Sequence, residues 1–77
     1  MEKKYRFNGD ESQILRFIPD DAFVGVNQIA EVLKEKNICS VKTASNYILR
    51  MIKENKVKVF EIKKKKGNIY RMVKKKK

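Results

Sequence analysis

The feature that most constrains this chain is a change of hydrophobic period near Val57. Before it, Ala44, Tyr47, Ile48, Met51, Ile52 and Asn55 fall at i, i+3, i+4, i+7, i+8 and i+11, the spacing of one helix face. After it, Val57-Lys58-Val59-Phe60-Glu61-Ile62 is rich in β-branched and aromatic residues, as strands are. Lys63-Lys64-Lys65-Lys66-Gly67-Asn68 reads as a turn, with Gly67 free to take positive φ, and Ile69-Tyr70-Arg71-Met72-Val73 as the returning strand. The class is therefore α+β, with helices first and a two-stranded hairpin over about residues 57–73. Both strands hold more apolar residues than a simple alternation needs, so the pattern does not choose the buried face.

Upstream, the expected helices are bounded by their caps. Asp10 and Gln13 have capping-box spacing, Ile14, Leu15, Phe17 and Ile18 supply an apolar face, and Pro19 stops a first helix of about residues 11–18. Phe23-Val24 leaves room for a brief strand. Gly25 caps a second helix in which Ile29, Ala30 and Leu33 form the apolar stripe, and Asn37 is a left-handed terminator. Ser40 caps the third and longest helix, which ends near Asn55. Residues 1–9 read as an arm whose Tyr5 and Phe7 fold back on the core, residues 10–73 as one domain, and residues 74–77 as a basic tail with nothing to bury.

Charge narrows the function. The net charge is +11, and it is unevenly spread. Residues 1–33 hold four Lys/Arg against six Asp/Glu, whereas residues 34–77 hold sixteen against three. Lysine enrichment for ion-pair networks would balance the signs; an unpaired basic half implies a polyanionic partner. The single cysteine, Cys39, excludes an internal disulfide, and the absence of histidine excludes the usual Cys/His zinc site. No membrane span or signal-like apolar run is present. The expectation is a soluble intracellular protein, cytoplasmic or in a nucleoid or nucleus, without a cofactor, membrane partner or small-molecule ligand. No carboxylate pair, nucleophile-base pair or phosphate-cradling glycine loop points to an enzyme.

Order and spacing together resemble the winged helix-turn-helix family. Val26-Asn27-Gln28-Ile29-Ala30-Glu31-Val32-Leu33 is similar to its second helix, and the stretch from Ser40 to Lys53 resembles its recognition helix. Asn55 stands where that family usually has glycine, and Tyr70-Arg71-Met72 resembles the Tyr-Arg-Leu that often closes the wing. Two departures are the longer turn from Lys34 to Cys39, and Asn46 where many members carry arginine.

The resemblance implies three helices and a two-stranded wing that bind double-stranded DNA as a transcriptional regulator, with the third helix in the major groove. Carried onto this chain, Lys42, Thr43, Ser45, Asn46, Arg50 and Lys53 would face DNA, with Asn46 suited to a paired hydrogen bond to adenine. On the wing, Lys63, Lys64, Lys65, Lys66, Asn68 and Arg71 would meet the backbone or minor groove. A homodimer would read two half-sites, with Leu49, an apolar residue on the polar face, as one candidate surface. Two other classes fit the same charge: an RNA-binding or ribosome-associated winged helix, and a protein-interaction module that docks through the third helix.

Overall fold

Local end signals set the length of each element. A computed structural model describes residues 5–76; the first four residues of the expected arm and Lys77 of the expected tail lie outside this range. The elements are α1 (Ser12–Leu15), β1 (Val24–Gly25), α2 (Val26–Glu35), α3 (Val41–Lys53), β2 (Val57–Lys63) and β3 (Ile69–Lys75). The architecture is α+β, with three α-helices and a three-stranded antiparallel sheet in the order β1-β3-β2.

The third helix starts as its sequence requires. The Ser40 hydroxyl accepts the Thr43 N–H at 3.2 Å and donates to Thr43 Oγ1 at 3.0 Å, filling one of the donors that a helix start leaves empty. In α2 the Gln28 side chain reaches back to accept the Gly25 N–H at 3.1 Å. Both helices end on a left-handed asparagine, Asn37 and Asn55, each at φ 63°. Around them Ile38 N–H donates to Leu33 O, and Lys56 N–H to Met51 O, closing the helix ends in the Schellman manner. Asparagine tolerates this conformation but glycine suits it better. Asn55→Gly should raise stability by about 0.5 kcal/mol and Asn55→Val lower it by about 1 kcal/mol, read as shifts in the midpoint of urea unfolding.

Three expectations are corrected. The first helix is four residues long rather than spanning 11–18. Its hydrogen bonds tighten to i−3 at Phe17 and Ile18, where the approach to Pro19 disfavours the α conformation. No capping box joins Asp10 and Gln13. Gly9, at φ 93°, turns the chain so that Gln13 Oε1 accepts from Asn8 N–H, while Asp10 Oδ1 accepts from Ser12 N–H. Those bonds from Ser12, backbone first, hold the Asp10 carboxyl below its usual pKa.

The third correction concerns the sheet, which has three strands rather than two. Val24 pairs with Val73 and Gly25 with Met72, making β3 the central strand. β3 also continues through Lys74 and Lys75, two residues of the expected tail. Val57 and Lys58 need them as register partners, and Lys75 N–H donates to Pro19 O at 2.7 Å. The arm is likewise tied down: Arg6 and Phe7 donate backbone hydrogen bonds to Asn37 O and Ile38 O. Phe7 meets the Tyr47 ring edge-on at 4.8 Å.

One buried cluster holds these parts together. Ile14, Ile18, Leu33, Ile48, Met51, Val57 and Val73 are its largest fully buried side chains, with Ala30, Ala44 and Cys39 between them. Burial alone pushes the Cys39 thiol pKa up. The Tyr70 side chain lies across Gly25, and a Cβ there would collide with its hydroxyl. No described helix is long and apolar enough to cross a membrane.

Candidate nucleic-acid interface

The outward side of α3 is sorted by helical geometry. At 3.6 residues per turn, Lys42, Asn46 and Lys53 lie farthest from the buried residues Ala44, Ile48 and Met51. Their side chains are exposed, and neither lysine forms an ion pair with a described residue. Ser45 and Leu49 flank this ridge on the side nearer the hairpin. There, Val26, Asn27, Ser45, Leu49, Ile69 and Arg71 line an open groove of about 140 Å³. Leu49 and Ile69 are 40% and 43% exposed, so solvent reaches apolar side chains in this groove beside the polar Asn27, Ser45 and Arg71.

The hairpin tip is a second basic surface. Lys63, Lys64, Lys65 and Lys66 are exposed and make no ion pair with described residues. Lys64 N–H donates to Asn68 O at 2.7 Å, which closes the tip and leaves the Asn68 side chain exposed. Gly67 has the expected positive φ, 77°, and Lys66 joins it at φ 72°. Two successive left-handed residues suit a mirror-image hairpin turn, normally built from Asn and Gly. A lysine in the first place works against local stability. Lys64 Nζ also stands 4.8 Å over the Tyr70 ring, a cation–π contact that steadies the base of the tip.

Three expected contact residues have partners within the chain, two of them in exposed ion pairs. Thr43 is bound at both N–H and hydroxyl by Ser40. Arg50 turns toward Glu11 (3.7 Å) and Glu54 (3.5 Å), which Lys56 also joins at 2.7 and 3.2 Å. Glu11 and Glu54 hold the Lys56 ammonium above its usual pKa, and Lys56 in turn holds the Glu54 carboxyl below its own. Arg71 donates to Glu61 at 2.8 Å on the neighbouring strand. Each acid draws its cation from the surface expected to face a polyanion.

Sequence reasoning names residues of the α3 ridge and of the hairpin tip but misses the groove of mixed polarity between them. Leu49 is the available signal, as an apolar residue without a place on the buried face. Asn27 carries none, because its place in the same groove as Ser45 depends on how α2 meets α3. Among the described residues no group of acidic, cysteine or histidine side chains could hold a metal ion. Comparison with family models, curated proteins and solved structures finds no match for this chain.

Proposed function

We propose that this chain is a winged helix-turn-helix domain and acts as a transcriptional regulator by occupying duplex DNA. The observation that carries the reading is the pairing of an exposed Lys42-Asn46-Lys53 ridge with an uncompensated lysine tip, separated by an open groove lined by both polar and apolar side chains. B-form DNA has a major groove that admits an α-helix, whereas the deep, narrow groove of A-form RNA does not. In this reading α3 enters the major groove, and Asn46 offers adenine its adjacent donor and acceptor. Leu49, beside it, meets a thymine methyl. Lys42 and Lys53 neutralise phosphates, and Lys63 to Lys66 lie along the backbone or minor groove. Thr43, Arg50 and Arg71 keep structural roles.

The test of the reading is selection from random duplexes followed by mutation of Asn46. Asn46→Ala should cost about 1–3 kcal/mol on the preferred duplex and little on random DNA, measured by fluorescence anisotropy. An equal loss on every sequence would remove α3 from its recognition role. Preference for structured RNA in competition would replace the DNA reading with an RNA one.

Lys66 gives a second check, because stability and binding should move in opposite directions. Lys66→Gly relieves the left-handed backbone and should raise stability by about 0.5 kcal/mol. It also removes one phosphate contact, so the logarithmic salt slope should flatten by about 0.9. A variant that is stabilised with an unchanged slope would take this lysine out of the interface.

A further inference from the structure

A second surface lies on the face of the sheet turned away from the buried cluster. Residues paired across antiparallel strands share a face. Val57 and Val73 are buried on the inner one, where Val59 is already 39% exposed, with the Glu61–Arg71 ion pair farther out toward the tip. The register then places Lys58 opposite Lys74, Phe60 opposite Met72, and Ile62 opposite Tyr70 on the outer face. Phe60 is 53% exposed and Ile62 39%. Phe23, just ahead of β1, brings its ring to 6.0 Å from that of Phe60.

Strand residues on this face include the exposed Phe60 and Ile62, the half-buried Met72 and no carboxylate. Lys58 and Lys74 stand directly across from each other, an arrangement that costs stability unless an anion lies between or over them. Neither forms an ion pair with a described residue. Lysines alone could be guards against strand pairing. Guards, however, do not require phenylalanine, isoleucine and methionine at the outward positions between them.

We propose that this outer face docks an acidic amphipathic helix of another protein, with apolar side chains on Phe60, Ile62 and Met72 and carboxylates at Lys58 and Lys74. Charge decides against a second copy of the chain, since two such faces repel. Too few rings are open here for stacked nucleotides. Lys74 Nζ stands 5.2 Å over Phe23 and Lys64 Nζ 4.8 Å over Tyr70, which leaves Phe60 as the one described ring of this face with no ammonium over it. Ile62 and Met72 offer no ring at all. The site is separate from the α3 ridge, so it stands whether or not that ridge binds DNA.

The experiment maps chemical shifts on the full chain with three probes. One is a synthetic helix of about five turns with a leucine stripe and glutamates elsewhere. Another is the same peptide with serine for leucine, and the last is a single-stranded oligothymidine. The leucine–glutamate helix should move the Phe60 ring and the Ile62 and Met72 methyl signals saturably. Phe60→Ser, at an exposed position, should weaken it about tenfold, as should serine in the peptide. Lys58→Glu with Lys74→Glu should transfer preference to a leucine–lysine helix. Shifts centred on Lys42 and Asn46, equal binding of the serine peptide, or a stronger response of the Phe60 face to oligothymidine would each overturn the proposal.

Discussion

Raising the salt concentration from about 50 to about 200 mM should weaken duplex binding roughly a thousandfold. Six lysines are available to phosphate: Lys42 and Lys53 on α3, and Lys63 to Lys66 at the hairpin tip. None forms an ion pair with a described residue, so none must first be released from a carboxylate. Each neutralised phosphate frees about 0.9 of a counterion, which gives a logarithmic slope near −5 for six contacts. Lys64→Ala with Lys65→Ala should flatten that slope by about two and weaken preferred and random duplexes alike. The measurement is anisotropy at a series of salt concentrations. A wild-type slope shallower than about −2 would leave the tip out of the complex, and an unaltered slope in the double variant would do so directly.

The largest effect on stability should come from Ile48→Ala. Ile48 is fully buried on α3, between Ala44 and Met51. Truncating a buried isoleucine to alanine removes hydrophobic contact and leaves a cavity that neighbours fill only in part, at a cost of about 2–5 kcal/mol. A domain of this length has about 4–12 kcal/mol in total. The variant should therefore melt roughly 15 °C lower, read by circular dichroism at 222 nm, the standard helix band. The adjacent Leu49→Ala should shift stability by no more than about 0.5 kcal/mol, because Leu49 is exposed in the groove. Near-equal effects of the two substitutions would contradict the assigned orientation of α3.

How much of this was legible in the sequence depended on the range of the interaction. The third helix, its Ser40 cap, the Asn37 terminator and the change to strands after Asn55 are set by neighbours within a few residues, and all are present. Lys66 in the left-handed region is local too, but lysine carries no conformational signal for it. Phe23-Val24 leaves room for a brief strand in the sequence, but Val24 and Gly25 are too few to show a period, and their place beside β3 depends on the approach of Val73 and Met72. The same holds for Arg50. Its helical position marks it as outward, while its actual direction depends on Glu11, far away in the chain, reaching the end of α3. Composition described the charge correctly but could not say which cations were already answered.

The contact between Tyr70 and Gly25 has a consequence for how this sequence can drift. Gly25 has an ordinary extended backbone, φ −65° and ψ 141°, so its conformation does not demand glycine; the Tyr70 ring does. These two positions are therefore constrained as a pair. Descendants that keep an aromatic residue at 70 should keep glycine at 25, and those that acquire alanine or serine at 25 should carry a smaller side chain at 70. Tyr70 is also capped by Lys64 at the hairpin tip, so a change at 25 would reach the charge of the tip through one shared ring.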